Sequence, residues 1–161
     1  MKDSALITIR IAESPGEIAQ ARELFRQYGE SLSFPLCFQN FEQELATLPG
    51  KYALPAGRLL LAFVDGTPAG CGALRPLDEH ACEMKRLYVR PEHKGQGIGR
   101  QLAERLIAEA KLIGYRRMLL DTIPAQMMEA SRLYLSLGFH EIPPYYNSPQ
   151  PGTSFMELPL E

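Results

Sequence analysis

The stretch from Lys94 to Arg100 has the residue types of a phosphate-binding loop. It reads Lys-Gly-Gln-Gly-Ile-Gly-Arg, so its glycines, at 95, 97 and 99, alternate with other residues. Glycine lets the backbone approach a ligand closely and turn several N–H groups the same way. An amphipathic segment follows, and the dipole at a helix N-terminus favours an anion. The alternative is a tight glycine turn at a helix start with no ligand.

Local charge favours the anion site. Residues 83–105 hold six Lys and Arg against three Glu, a local charge of +3, whereas the whole chain has a formal charge of −2. A P-loop would end in Gly-Lys-Ser/Thr, but here Gly99 is followed by Arg100 and Gln101. A Rossmann fingerprint would place glycine at 100 or 102, where Arg100 and Leu102 stand. Both of these nucleotide loops are therefore disfavoured.

The loop resembles the pyrophosphate loop of the GNAT acyltransferases, Gln/Arg-x-x-Gly-x-Gly/Ala. The matching residues are Lys94-Gly95-Gln96-Gly97-Ile98-Gly99, with Lys in place of Gln or Arg and the positive charge retained. Residues 130–139, Ala-Ser-Arg-Leu-Tyr-Leu-Ser-Leu-Gly-Phe, resemble the family's Ala-x-x-x-Tyr-x-x-x-Gly-Phe element. Together the two motifs extend the resemblance over roughly residues 71–139.

This resemblance implies that the ligand is acetyl-CoA, the acyl donor, with no metal. The backbone of Leu87, Tyr88 and Val89 would pair with its pantetheine arm. The residues implied to hold the pyrophosphate are Lys94, Gly95, Gln96, Gly97, Ile98, Gly99 and Arg100. One departure from the family is Met127, which stands where many members have an asparagine against the cofactor arm, so Met127 receives no cofactor role.

Tyr134 is the candidate general acid. It matches the family's tyrosine, whose hydroxyl lies beside the thioester sulfur in many members and can protonate the departing thiolate. The alternative is an aromatic side chain that packs on the apolar face of a helix.

Glu83 is the candidate general base. It lies six residues before Val89, where the histone-acetylating branch of the family has a glutamate base. Strict alternation would put Glu83, Lys85, Leu87 and Val89 on one face of a strand, toward a cleft. The equal alternative is a solvated or ion-paired glutamate beside Lys85, with a water chain as the base.

Three further groups of residues carry weaker signals. Tyr145-Tyr146-Asn147 either closes an acceptor pocket or, as we prefer, only packs its rings in a loop. The histidines at 80, 93 and 140 lack metal-ligand spacing and lie near turns, which favours solvated side chains. The cysteines, Cys37, Cys71 and Cys82, lack Cys-x-x-Cys spacing, so we expect free thiols, with Cys82 facing away from Glu83.

Hydrophobic periodicity and turn residues predict the elements that position these groups. We expect strands over residues 6–11, 58–64, 69–74, 81–89, 117–121 and 153–158, with a hairpin turn at 65–68. Helices are predicted from Ser14 to Gly29, from Gly97 to Ile113, and around Ala130–Leu137 with Gly138 as the stop. Residues 31–57 read as loop, short helix and loop, a candidate substrate-facing lid.

This element order predicts an α+β fold with a mixed sheet and a strand–helix–strand crossover. By resemblance it is a three-layer α/β/α, GNAT-like acyl-CoA N-acyltransferase fold, whose largely antiparallel sheet contains one splayed parallel strand pair. Its 161 residues predict a single domain, 1–161, which by the same resemblance is a GNAT acetyltransferase domain. Apolar residues at 45% and charged residues at 22% are typical of a globular chain.

Composition also bears on partners and location. The formal charge of −2 gives no reason to expect nucleic acid or a membrane surface as partner. No apolar run approaches the roughly 20 residues of a membrane helix. The first thirty residues carry acids, among them Asp3, Glu13, Glu17 and Glu23, instead of the apolar region of a signal sequence, so we expect a cytoplasmic protein. The family resemblance makes a homodimer possible.

The sequence therefore predicts an N-acetyltransferase that moves an acetyl group from acetyl-CoA directly to a primary amine of a small molecule or peptide. The alternative is a non-catalytic acyl-CoA-binding or sensing module; Tyr134 argues weakly against it. The acceptor stays open, although residues 1–50 hold seven acids against four bases and could attract a cationic amine.

Overall fold

Seven strands and four helices make up the part of the chain that the structure, a computed structural model, describes: residues 6–32 and 40–160. The strands are β1 (Ile7–Ile11), β2 (Arg58–Val64), β3 (Thr67–Pro76), β4 (Ala81–Val89), β5 (Arg117–Thr122), β6 (His140–Ile142) and β7 (Ser154–Pro159). The helices are α1 (Pro15–Ser31), α2 (Phe41–Thr47), α3 (Ile98–Ile113) and α4 (Met128–Ser136), with short 3₁₀ turns at Gly50–Tyr52 and Pro91–His93. Cys37 lies outside the described residues.

All seven strands form one sheet in the order β1-β2-β3-β4-β5-β7-β6. Every neighbouring pair is antiparallel except β4 and β5, which are parallel. That pair is short: Ala81–Glu83 face Arg117–Leu119, and the remainder of β4 runs on past this ladder. The predicted mixed, largely antiparallel sheet with a splayed parallel pair is confirmed.

Apolar side chains cover both faces of the sheet. In β2, Leu60, Ala62 and Val64 join the core beneath α3 and α4, whereas Leu59, Leu61 and Phe63 join the core beneath α1 and α2. We call these the α3 face and the α1 face. Because both faces are buried, β2 reads as a continuous apolar run and not as an alternating one.

A local signal predicts the start of α1 but not its end. At the start of α1, the Glu17 backbone N–H donates to Ser14 Oγ and the Ser14 N–H donates to Glu17 Oε1, which is the predicted capping box. The predicted stop at Gly29 is wrong, because α1 continues to Ser31. A Cβ at Gly29 would come within 2.7 Å of Phe41 Cε2, so the lack of a side chain here leaves room for the Phe41 ring of α2.

Two details of the strands also differ from prediction. The hairpin turn is tighter than 65–68: Asp65 and Gly66 both have positive φ, and β3 already begins at Thr67. The three-residue strand β6 was not predicted, because its residues pair only with β7 at the sheet edge and carry no periodicity. Within the described ranges no helix is both long and apolar enough to cross a bilayer.

Candidate active site

A bulge in β4 changes which side chains share a face. Cys71 pairs with Tyr88 but Ala73 pairs with Lys85, so β4 holds one extra residue here, and Arg86 has a φ of +61°. The predicted common face of Glu83, Lys85, Leu87 and Val89 is therefore wrong. Beyond the bulge Leu87 and Val89 join Met84 on the α3 face, whereas Tyr88 lies on the α1 face.

The glycine loop lies at the start of α3, as predicted. Gly95 and Gly97 have φ values of +86° and +80°, a backbone that glycine adopts without strain. A Cβ added at either position would meet nothing within 4 Å, so the loop surface is open. Because Gly97 is the N-cap of α3, the first backbone N–H groups of the helix can meet an anion there.

A cavity of about 640 Å³ leads from this loop toward the gap between β4 and β5. Of the predicted cofactor residues, those in its wall are Leu87, Tyr88, Val89, Lys94, Gly95, Gly97, Ile98 and Gly99. Gln96 and Arg100 are not among the described residues of the wall. Arg100 instead donates to Ser136 Oγ at 2.5 Å, which ties α3 to α4.

Tyr134 and Glu83, the two predicted catalytic residues, lie in different surroundings. Tyr134 is buried in the cavity wall, its ring 5.7 Å from that of Phe139. Burial raises the pKa of its hydroxyl, and Tyr28 and Asp121 add to the rise, so Tyr134 stays protonated at neutral pH. Glu83 is 1% exposed and is not among the described residues of the wall.

Glu83 is held by two side chains on the α1 face. Arg75 Nε lies 2.8 Å from its Oε1, and the Tyr145 hydroxyl donates to its Oε2 at 2.6 Å. Burial raises the pKa of Tyr145, and the nearby Glu83 raises it further, which keeps this hydroxyl a donor. The sequence allowed Glu83 to be a general base or a solvated or ion-paired side chain. The contact with Arg75 corresponds to the ion-paired alternative.

Asp121, which sequence reasoning missed, is a carboxylate in the cavity wall. It is the last residue but one of β5 and lies on the α1 face, two residues after Leu119, which pairs with Glu83. The Tyr146 hydroxyl donates to its Oδ2. The rings of Tyr145 and Tyr146 each pack 5.1 Å from that of Phe155, so this loop both packs its aromatic rings and binds two carboxylates. A carboxylate directly after the apolar run 118–120 was the available signal.

The bulge residue Arg86 ties β4 to α2. Its Nε and Nη2 donate to Glu44 Oε2 and Oε1 at 2.8 and 2.9 Å, and its guanidinium lies over the Phe41 ring at 5.0 Å. Arg86 is 4% exposed. A bidentate pair at this depth fixes the short helix α2 against the sheet next to the cavity.

The two cysteines and Met127 add no reactive group to the site. Cys71 and Cys82 are buried free thiols on opposite faces, and burial raises the pKa of both, that of Cys82 to about 12, so neither is a ready nucleophile. Met127 precedes α4 and accepts a hydrogen bond from Thr122 Oγ1 at 3.6 Å. Among residues 6–32 and 40–160, no group of three His, Cys, Asp or Glu side chains is placed to hold a metal ion.

Comparison with known proteins identifies the family. The model of the acetyltransferase (GNAT) family matches residues 19–139. An uncharacterized N-acetyltransferase of Schizosaccharomyces pombe is 38% identical over 96% of this chain and 95% of its own length.

Solved structures agree with that assignment. A GNAT acetyltransferase of Staphylococcus aureus is 21% identical, and its fold is similar with a TM-score of 0.79 over 97% of this chain and 100% of its own. The Salmonella typhimurium protein yncA, solved with its cofactor acetyl-CoA, is 26% identical with a TM-score of 0.71 over 96% of this chain and 94% of its own. The chain therefore belongs to the GNAT acetyltransferase family and is an acyltransferase enzyme.

Proposed function

We propose that this enzyme transfers an acetyl group from acetyl-CoA directly to the primary amine of a small molecule or peptide. The observation that carries the proposal is the single cavity that joins the open glycine loop, the gap between β4 and β5, and Tyr134. A ligand with a phosphate group at one end and a reactive group at the other fits such a cavity.

The residues present fit acetyl-CoA. Gly95, Gly97 and the start of α3 would hold the pyrophosphate, with Lys94 as a nearby positive charge. Past Glu83, β4 extends beyond its ladder with β5, so the backbone of Leu87–Val89 can pair with the amides of the pantetheine arm. When bound, acetyl-CoA would supply an acetyl carbonyl activated by its thioester bond, and transfer forms a C–N bond as the C–S bond breaks.

Side chains of this chain would transfer the two protons of the reaction, one to the leaving sulfur and one from the attacking amine. Tyr134, kept protonated by burial, donates a proton at the position of the leaving sulfur. A carboxylate on the α1 face accepts the proton that the attacking amine loses. Glu83 is one candidate; Asp121 is the other, and it is the one in the cavity wall.

The donor half of the proposal is tested by acetyl-CoA titration calorimetry on the Gly97→Glu variant. A negative side chain at the start of α3 should collide with the pyrophosphate and weaken binding at least about tenfold, or 1.4 kcal/mol. Gly66→Glu is the matched control, since Gly66 has a φ of +84°, equally open surroundings and a place in the β2–β3 turn. Equal affinity of both variants would refute the assignment of the loop.

A thiol-release assay over a panel of amines tests the transfer half. Release of CoA that depends on the amine supports direct transfer. Tight binding of acetyl-CoA without turnover on any amine would instead favour a non-catalytic acyl-CoA-binding protein.

A further inference from the structure

Three cations of β3 and β4 lie on the α1 face or at the bulge, but they have different partners. Arg75 is paired with Glu83 at 2.8 Å, and Arg86 is paired with Glu44 through two hydrogen bonds. These two ion pairs neutralise four of the charges around the cavity floor.

The third cation is Lys85, which lies in the cavity wall and is 8% exposed. It pairs across the sheet with Ala73 of the α1-face core, so it points to the same side as Glu83 and Asp121. The cavity wall on this face thus includes a buried lysine and an aspartate, Lys85 and Asp121.

We propose that Lys85 and Asp121 together select an acceptor that carries a carboxylate beside its amine, as a free amino acid does. The acceptor carboxylate would bind Lys85, and the acceptor amine would lie toward Asp121. This inference rests on the proposed function and names the class of its acceptor.

The electrostatics of the site favour such an acceptor over a simple amine or a polyamine. Arg75 and Arg86 are paired with Glu83 and Glu44, and the formal charges of Lys85 and Asp121 balance each other. A bound cation would therefore leave a net positive charge in a buried site unless the same molecule also supplies a negative charge. Burial lowers the pKa of Lys85, and Arg86 lowers it further against the opposite pull of Asp121 and Glu83. An acceptor carboxylate would therefore stabilise a positive charge that its surroundings penalise.

The same charge would assist the chemistry. Attack requires a neutral amine, and a nearby ammonium group lowers the pKa of a bound acceptor amine. Lys85 would thus anchor the carboxylate of the acceptor and promote transfer of the amine proton to a carboxylate on the α1 face.

A matched pair of acetylated products isolates the role of the carboxylate from the protonation of an amine. N-acetyl-L-leucine and N-acetyl-L-leucinamide differ in charge at one group, and binding of each to the CoA-loaded protein can be measured by calorimetry. We expect the acid to bind at least about tenfold more tightly, because a charge-assisted hydrogen bond is worth about 1.5–3 kcal/mol and 1.4 kcal/mol is tenfold.

Variants assign the preference to one side chain. Lys85→Met should reduce affinity for the acid about tenfold and leave affinity for the amide within about threefold, whereas Lys85→Arg should keep part of the preference. Lys111→Met removes an exposed lysine from the last turn of α3 and should change neither affinity. Thermal unfolding shows whether Lys85→Met folds. If it does not, the affinities of Lys85→Arg and of the unaltered protein for the acid and the amide still test the inference.

Turnover separates this inference from the proposed function. Leucine, leucinamide and spermidine are compared at about pH 8, where Lys85 can still be charged, and each kcat/KM is expressed per neutral amine so that differences in amine pKa cancel. A higher kcat/KM for leucine, lost in Lys85→Met, supports the inference. Faster turnover of leucinamide or spermidine, or equal binding of the two products, would overturn it while leaving an acetyltransferase in place. No turnover on any amine would refute the proposed function, and the inference with it.

Discussion

The two faces of β4 are built on different principles. On the α3 face, Cys82, Met84, Leu87 and Val89 are apolar, and the adjoining glycine loop, the proposed donor site, consists of backbone and glycine. On the α1 face the same strand presents Glu83 and Lys85, whose surroundings come from β3, β5 and the loop before β7. A site made of backbone is compatible with an apolar core, whereas a site made of buried charges must be neutralised group by group.

This contrast predicts that the two faces respond to mutation in opposite ways. Variants of the glycine loop should lose ligand affinity and keep stability, because the loop packs against little. Variants of the buried charges on the α1 face should lose stability or rate, because each charge has a dedicated partner. Four predictions, ordered from the largest expected effect to the smallest, test this difference.

Arg86→Met should lower the free energy of unfolding by about 3 kcal/mol, because the partly buried carboxylate of Glu44 would lose its bidentate partner. Denaturant unfolding measures this loss. Arg26→Met, which breaks an exposed pair with Glu23, is the control and should cost less than about 1 kcal/mol. Similar losses in both variants would remove the distinction between the buried network and ordinary surface pairs.

Tyr134→Phe should reduce kcat about 100-fold while leaving the Kd of acetyl-CoA unchanged, since a group that protonates the leaving sulfur acts mainly in the transition state. The ring packing against Phe139 is retained in this variant. Steady-state kinetics with parallel calorimetry provides both values. An unchanged kcat would make Tyr134 a packing residue of the α3-face core.

Replacing the base should lower the rate at pH 7 about tenfold, with partial recovery at higher pH as more of the amine becomes neutral. Glu83→Gln and Asp121→Asn are compared, because Asp121 lies in the cavity wall whereas Glu83 is buried behind it. Rate profiles over pH identify the variant that recovers. If neither profile changes shape, proton removal does not depend on either carboxylate.

Glu109→Gln should cost about 1 kcal/mol at pH 7, because Glu109 accepts from Arg58 Nε at 2.6 Å and from Arg105 Nε at 3.0 Å. Burial raises the pKa of Glu109, but these two hydrogen bonds outweigh that effect and hold the pKa below its ordinary 4.5. A pKa that is lower in the folded than in the unfolded state stabilises the fold above about pH 4.5, and this contribution disappears as the pH falls through the folded pKa.

The difference in unfolding free energy between Glu109→Gln and the unaltered protein should therefore shrink below pH 4.5. Urea unfolding at pH 7, 5 and 3.5 measures it. Turnover should not change, since this ion pair lies away from the cavity. A difference that stays constant across the pH range would contradict the lowered pKa of Glu109. A loss of turnover would mean that charges outside the α1 face also support the site.

Local sequence determined the glycine loop, the proposed donor site of this protein. The features that depend on residues close in the chain can be predicted from their spacing in the sequence. They are the glycines with positive φ, the amphipathic helix after them, and the capping box at Ser14. The same holds for the boundaries of β2, β4 and α3, where apolar periodicity and turn residues coincide.

Only the tertiary structure decided the arrangement of the α1 face, where we propose that the acceptor binds. Glu83 meets Tyr145 across 62 positions of sequence, and Arg86 meets Glu44 across 42. Their pairing, and the placement of Asp121 in the cavity wall, depend on strand order and on one extra residue in β4. A single inserted residue reverses the face of every side chain that follows it, and the alternation in the sequence does not show where that reversal occurs.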